Sequence, residues 1–334
     1  MRTAISFIII FNIMVFVHEF GHFYFARRNG IKVHEFSLGM GPAILKKQSG
    51  DTLYALRALP IGGYVKMEGE DSESKEPDSF NTKTPWQRFQ VIVAGAVNNI
   101  ILAFIAMLLA HLLAGGTVAS TTIGSILDDS PAETVGLMVG DRIERINGEN
   151  IGIFMEANMA ITQSSGTITM EILRDGTPMT IDVEPMIDEE TNARLIGIRP
   201  LVQSGFANVA TYTLREMFFF TETVFEFIGK AFQGRASTSE ISGPVGLVQI
   251  VGETAQTGWV NVLFLLGVLS LNLGVFNLLP IPALDGGRLL FILIELVRGK
   301  PLPPEREGLI HGIGFALLML LIGFVTYNDI VKLF

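Results

Sequence analysis

The chain has 334 residues, 49% of them hydrophobic and only 17% charged, with a formal net charge of −9 at pH 7 and a mean hydropathy of +0.44. That balance excludes an ordinary soluble protein, and the negative charge argues against a nucleic-acid partner. With no cysteine in the chain, disulfides and thiolate ligands are excluded as well, so any bound metal must be held by His, Asp or Glu.

The first apolar run, roughly Thr3 to Ala26, is long enough for a bilayer, which takes about 20 residues. Met1-Arg2 ahead of it imitates a signal peptide, but no small-residue cleavage site follows, so the segment reads as a retained span. It is interrupted by His18-Glu19-Phe20-Gly21-His22. On a helix, His18 and His22 share one face and Glu19 sits beside them. Two imidazoles at that spacing suit two corners of a zinc tetrahedron, and the adjacent carboxylate is left to act as a base without ligating the metal. The bland alternative is a chance pattern with both histidines in a core. Ionisable groups inside a span are costly and mark function, which favours the metal.

The connection from Arg27 to Arg88 carries ten Lys or Arg, and by the positive-inside rule faces the cytoplasm. Within it, Val33 to Gly39 and Thr52 to Arg57 alternate like strands around a Gly-Pro-containing turn, and Pro60 to Met67 reads as a further strand entered through Gly62-Gly63. These predict a small sheet against the membrane, with His34 a strand residue. Glu68 to Asp78 is acidic and reads as a mobile loop. A second span covers Phe89 to Ala114, with His111 near its outer end, where it reads as interfacial.

The region from Gly116 to Gln203 carries fourteen Asp or Glu against five Lys or Arg, and is expected outside the cell. Its pattern is a strand from Thr121 to Leu127, a short helix opened by Ser130-Pro131-Ala132-Glu133, and a strand ending in Asn147-Gly148. A helix near Ile153 to Gln163 and a hairpin turning at Asp175-Gly176 complete it. This resembles a PDZ domain of the bacterial protease-associated kind, most recognisably from Ser130 to Gly148. Ala210 to Phe232 mixes Phe with Arg215, Glu216, Glu222, Glu226 and Lys230 and reads as an amphipathic surface helix, broken after it at Ile241-Ser242-Gly243-Pro244.

A third span, Trp259 to Leu284, closes in Asn277-Leu278-Leu279-Pro280-Ile281-Pro282-Ala283-Leu284-Asp285-Gly286-Gly287. Its prolines must unwind the helix, which is tolerated at membrane depth where protein or a cavity surrounds it. Asp285 on that break completes a His18, His22, Asp285 set with a fourth position left open. Alone, it reads as an Asp-Gly turn at a helix end. A fourth span covers Leu309 to Tyr327, with His311 at its entry reading as interfacial. The sum is an α-helical polytopic membrane protein with four transmembrane helices, a small membrane-associated β-sheet and one inserted extracytoplasmic PDZ domain (α+β). It divides into residues 1–115, 116–203, 204–258 and 259–334.

Taken together, the His18–His22 motif, Phe36 to Gly39, Pro60 to Met67, Ser242-Gly243-Pro244 and Asn277 to Gly287 resemble the site-2 protease family of intramembrane zinc metalloproteases, in its bacterial regulator-of-sigma-E-protease branch. The resemblance implies a zinc metalloendopeptidase with Zn2+ on His18, His22 and Asp285, Glu19 as general base and Asn277 positioning substrate. It implies single-span membrane substrates, anti-sigma factors or remnant signal peptides, and a multi-pass location in the inner (plasma) membrane with the active site near the cytoplasmic side. A substrate helix must unwind before a carbonyl can reach the metal, and the strand carrying Gly63, Tyr64 and Val65 is expected to hold the opened backbone. The chain departs from the family pattern in two places: Ala96 stands where the family often has Pro, and one PDZ domain is present where enterobacterial members have two. A metal transporter would want a string of polar ligands, and the second span offers only Asn98, Asn99 and His111. The oligomeric state is not legible.

Overall fold

The computed structural model describes residues 2–70, 74–188, 192–235 and 243–332; Ile241 and Ser242, and residues 71–73 of the acidic loop, lie outside them. In chain order the elements are α1 (Arg2–Arg28), β1 (Val33–Ser49), β2 (Thr52–Met67) and α2 (Pro85–Leu113), then β3 (Thr117–Ile126), α3 (Pro131–Thr134), β4 (Arg142–Ile146) and β5 (Glu149–Asn150). After these come α4 (Phe154–Gln163), β6 (Ile168–Arg174), β7 (Thr177–Val183), β8 (Met186–Ile187), β9 (Arg194–Leu195) and β10 (Ile198–Ser204). The chain closes with α5 (Phe206–Phe232), α6 (Pro244–Thr257), α7 (Trp259–Leu278), α8 (Asp285–Arg298) and α9 (Pro304–Val331). They form two compact units, one of Met1–Met107 with Thr221–Phe334 and one of Leu108–Phe220.

Four helical segments of the described residues, Thr3–Arg28, Pro85–Leu113, Trp259–Leu278 and Glu305–Val331, are long and apolar enough to cross a membrane. Their outward faces require such a solvent. On α9, Leu309 is 64% and Leu320 71% exposed, an arrangement that water would penalise and lipid would not. In the first unit, one core joins the end of α1, the sheet, α2 and α8 through Ala26, Val33, Val65, Val91, Ile92 and Leu289. Another joins α1, α2, α6 and α7 through Ile10, Met14, Ala106, Val251 and Leu266. Asp329 of α9 accepts the amide protons of Gly243 and Gly246 at 3.2 and 2.8 Å, and so caps the start of α6.

The small sheet differs from the sequence expectation in where it turns. The Gly41-Pro42 stretch lies inside β1, which continues to Ser49, and the chain reverses at Gly50-Asp51 with Gly50 at φ 59°. The register explains how two long strands make more than a hairpin. Phe36 pairs with both Tyr54 and Val65, and Tyr54 pairs also with Lys47. The segments therefore lie in the order 63–67, 33–38, 52–57, 43–49, and the Gly63–Met67 segment is an edge.

The second unit is built on an antiparallel sheet in the order β10-β3-β4-β6-β7, with β5 paired to β4. Period-two patterning sets its core. Ile168, Met170 and Ile172 of β6 point inward beside Ile123, Ile143 and Ile146. Asn147-Gly148 and Asp175-Gly176 all take positive φ, as the expected two-residue hairpin turns require. Ser130 caps α3 by accepting the Glu133 amide proton, while the Glu133 carboxylate accepts that of Asp129 at 2.7 Å. The protein is thus an α+β membrane protein with four membrane helices, a small sheet and one PDZ domain.

Several features of the described residues go beyond the sequence reading. The third span ends at Leu278 rather than Leu284, because Pro280 and Pro282 cannot continue the helix. After it, Asp285–Arg298 forms a separate amphipathic helix, α8. Neither α6 nor β10 was anticipated. Helix α2 runs unbroken through Ala96.

Candidate metal centre

Helix α1 places His18 and His22 one turn apart, and the His18 Nε2 and His22 Nε2 atoms approach to 3.1 Å. The unwound stretch after α7 returns Asp285 to the same point, with Asp285 Oδ2 at 3.2 Å from His18 Nε2 and 3.3 Å from His22 Nε2. Three donor atoms therefore form a nearly equilateral triangle. Ligand bonds of about 2.0 Å in a tetrahedron require donors about 3.3 Å apart. The set fits zinc, and the buried Asp285 Oδ2 has no hydrogen-bond partner among the described residues, as suits an oxygen that would bind a cation.

The surroundings fix the rings. His22 Nδ1 lies 2.9 Å from the carbonyl of Val91 on α2. A carbonyl only accepts, so Nδ1 carries the proton and Nε2 presents its lone pair to the centre. His18 Nδ1 faces the side-chain amide of the fully buried Asn99 at 3.5 Å. Beneath both rings lies Gly95 of α2, where a Cβ would strike His22 and His18. Gly21 makes the reciprocal approach to the Ala94 backbone, so α1 and α2 cross at small residues.

Asp285 is placed by its own glycines. A Cβ on Gly286 would strike the Leu279 carbonyl, and one on Gly287 would lie 2.7 Å from the Ile281 carbonyl oxygen. Only Gly-Gly lets the first turn of α8 fold back on the unwound strand. Helix α8 is then tied to α2 by Arg88, which donates to both carboxylate oxygens of Glu295 at 2.6 and 2.7 Å.

Glu19 lies beside the triangle, within electrostatic reach of His22, His18 and Asp285. The edge segment of β2 passes over it: a Cβ on Gly63 would sit 3.2 Å from Glu19 Cγ. The other expected substrate residues are placed differently. The Tyr64 hydroxyl accepts from Arg57 at 2.6 Å, and Arg57 also binds Glu35 at 2.5 Å. Burial alone would raise the Glu35 carboxyl, but these Arg57 and Tyr64 contacts outweigh it and hold it below the usual carboxylate range. Val65 has its side chain in the core and pairs with Phe36 in the sheet. Asn277 is buried in the last turn of α7 and donates its amide to the Leu273 carbonyl at 3.0 Å.

Sequence reasoning missed Gly95 and the Val91 carbonyl, because a backbone acceptor leaves no residue signature and a helix glycine acquires meaning only from the helix across it. The two histidines that the sequence reads as interfacial each have a partner among the described residues. His111 pairs with the buried Glu216 at 2.8 Å, and His311 accepts from the Ala283 amide at 3.0 Å.

Two histidines and a carboxylate converging at zinc spacing, with a glutamate alongside and membrane helices around them, define an intramembrane zinc metalloprotease. The chain belongs to peptidase family M50, whose model matches residues 6–321. It is 33% identical to the zinc metalloprotease RasP of Bacillus licheniformis, over all of both chains. It is 32% identical to the regulator of sigma-W protease RasP of Bacillus subtilis, over 100% of this chain and 99% of that one. Among solved structures, the PDZ domain of an SdrC-like protein from Listeria monocytogenes aligns with 25% of this chain and 88% of its own, at 22% identity and a TM-score of 0.23.

Proposed function

We propose that this enzyme hydrolyses peptide bonds within or beside the transmembrane segments of single-span membrane proteins, with anti-sigma factors or remnant signal peptides as its substrate class. In this reading His18, His22 and Asp285 hold the zinc, whose chemistry is to polarise a peptide carbonyl and acidify water. Glu19 takes the proton of the attacking water and delivers it to the leaving amine. The observation that carries the reading is the convergence of the three donor atoms at 3.1 to 3.3 Å inside a bundle of membrane helices.

A substrate helix has its backbone groups bonded internally, so it must be opened and held before it can be cut. The unpaired edge at Gly63, Tyr64 and Val65 offers main-chain donors and acceptors beside Glu19, which supports strand addition of the opened substrate. Asn277 would join it by releasing its bond to Leu273. The basic Arg27–Arg88 connection supports a cytoplasmic-side active site in the plasma membrane, with the acidic 116–203 region outside.

The test is cleavage of a model single-span substrate by the wild type and by Glu19→Gln, with zinc content measured on both. Loss of cleavage with zinc retained is expected. Equal cleavage by both, or none by either with zinc bound, would overturn the reading.

A further inference from the structure

Ala283 stands two residues before Asp285 with φ at 80°, a left-handed conformation that an alanine rarely adopts. Such a backbone persists only when its surroundings over-determine it. Part of the constraint is local, since the Leu284 N–H donates to the Ile281 carbonyl at 3.2 Å and closes a turn with Pro282 ahead of Ala283; α9 adds a second hold. The Ala283 N–H donates to His311 Nδ1 at 3.0 Å. The His311 ring stands edge-on against Phe291 of α8, with centroids 5.3 Å apart. One turn along α9, Gly314 lets the helix backbone come against Pro282, where any Cβ would clash.

We propose that His311 is a positioning residue for zinc binding: by accepting the Ala283 amide proton it locks the turn that aims Asp285 at His18 and His22. The proposal rests on the reading of Asp285 as a ligand. A histidine near the start of a span would otherwise be a packing residue for Phe291. The two roles differ chemically, because packing needs an apolar surface whereas the lock needs an acceptor at the Nδ1 position. Asparagine supplies an acceptor at that position, and leucine supplies only the surface.

The experiment measures zinc affinity of the full-length protein by competition with a chelator, and the melting temperature of the metal-free form, for His311→Leu, His311→Asn, His311→Leu with Ala283→Gly, and Asp285→Ala. Outer-shell residues of this kind change metal affinity by about 10–100-fold. That loss is expected for His311→Leu, with near wild-type affinity for His311→Asn. Partial recovery is expected when Ala283→Gly is added, because glycine takes φ 80° without strain. Unchanged affinity in His311→Leu, or equal loss in the Leu and Asn variants, overturns the proposal. Should His311→Leu fail to fold, the Asn variant decides alone: retained affinity supports the lock and lost affinity overturns it. Wild-type affinity in Asp285→Ala would instead remove the ligand reading beneath it.

Discussion

His22 gives its Nδ1 proton to the carbonyl of Val91, 2.9 Å away, and this one bond determines which ring nitrogen faces Asp285. It depends on how close α2 comes to α1, and Gly95 sets that distance. A methyl there would meet His18 Cε1 at 2.9 Å and His22 closer still. Both rings would have to turn or the helices part. Gly95→Ala should therefore lower zinc affinity by about tenfold or more and abolish cleavage. The control is Gly323→Ala on α9, where nothing lies within 4 Å of the added methyl; it should leave both readouts unchanged. Zinc content after dialysis against a weak chelator reports the difference.

Gly63 allows a different separation of effects. The reason is steric: the Ser37 carbonyl, Val15 and Glu19 Cγ would surround a Cβ at 3.0, 3.1 and 3.2 Å. None of the three is a proposed zinc ligand. Gly63→Val should therefore displace Glu19 or lift the β2 edge while leaving the His18–His22–Asp285 triangle intact. The expected outcome is cleavage reduced by about 10²-fold, the scale of a 1 Å misplacement of reacting groups, with wild-type zinc content. Loss of zinc in parallel with activity would show that the strand supports the metal directly.

The residues of the proposed metal centre stand out in the sequence by where they fall. His18, Glu19 and His22 are ionisable in an apolar span, and Asp285 follows two prolines where a helix should have ended in lipid. The hairpin turns of the 108–220 unit were legible for a related reason, since Asn-Gly and Asp-Gly are the dipeptides that tolerate two positive φ angles. What escaped was decided by neighbours distant in sequence. Gly41-Pro42 reads locally as a turn, yet the pairing of Met40 with Leu59 and Ala43 with Arg57 carries the strand through it. Helix α8 was hidden because a run from Asp285 to Arg298 is too short to span and its apolar face meets Val91 and Ile92 of α2. The bond that His311 accepts from Ala283 was not legible either, because 28 residues separate the two.

The 108–220 unit holds a buried carboxylate whose titration should be visible in its stability. Asp141 is 1% exposed. It accepts two bonds from Arg174 at 2.7 Å and the Met138 amide proton at 2.8 Å. Burial alone would raise its pKa, but Arg174 and the Met138 amide outweigh burial and hold it below the usual carboxylate value. A carboxyl depressed in the folded state contributes stability that is fully present above its unfolded pKa, and loses it as pH falls through the folded value. The contribution should be constant at neutral pH and decline only below about pH 4, the unfolded carboxylate range. Asp141→Ala should destabilise the unit by about 2 kcal/mol at pH 7, as charged hydrogen bonds typically do, and should flatten this acid limb. Hydrogen exchange of the β4 and β6 amides in the full-length protein, followed from pH 7 to pH 3 in the wild type and the variant, measures both effects. An acid limb of the same size in Asp141→Ala would assign it to another carboxylate.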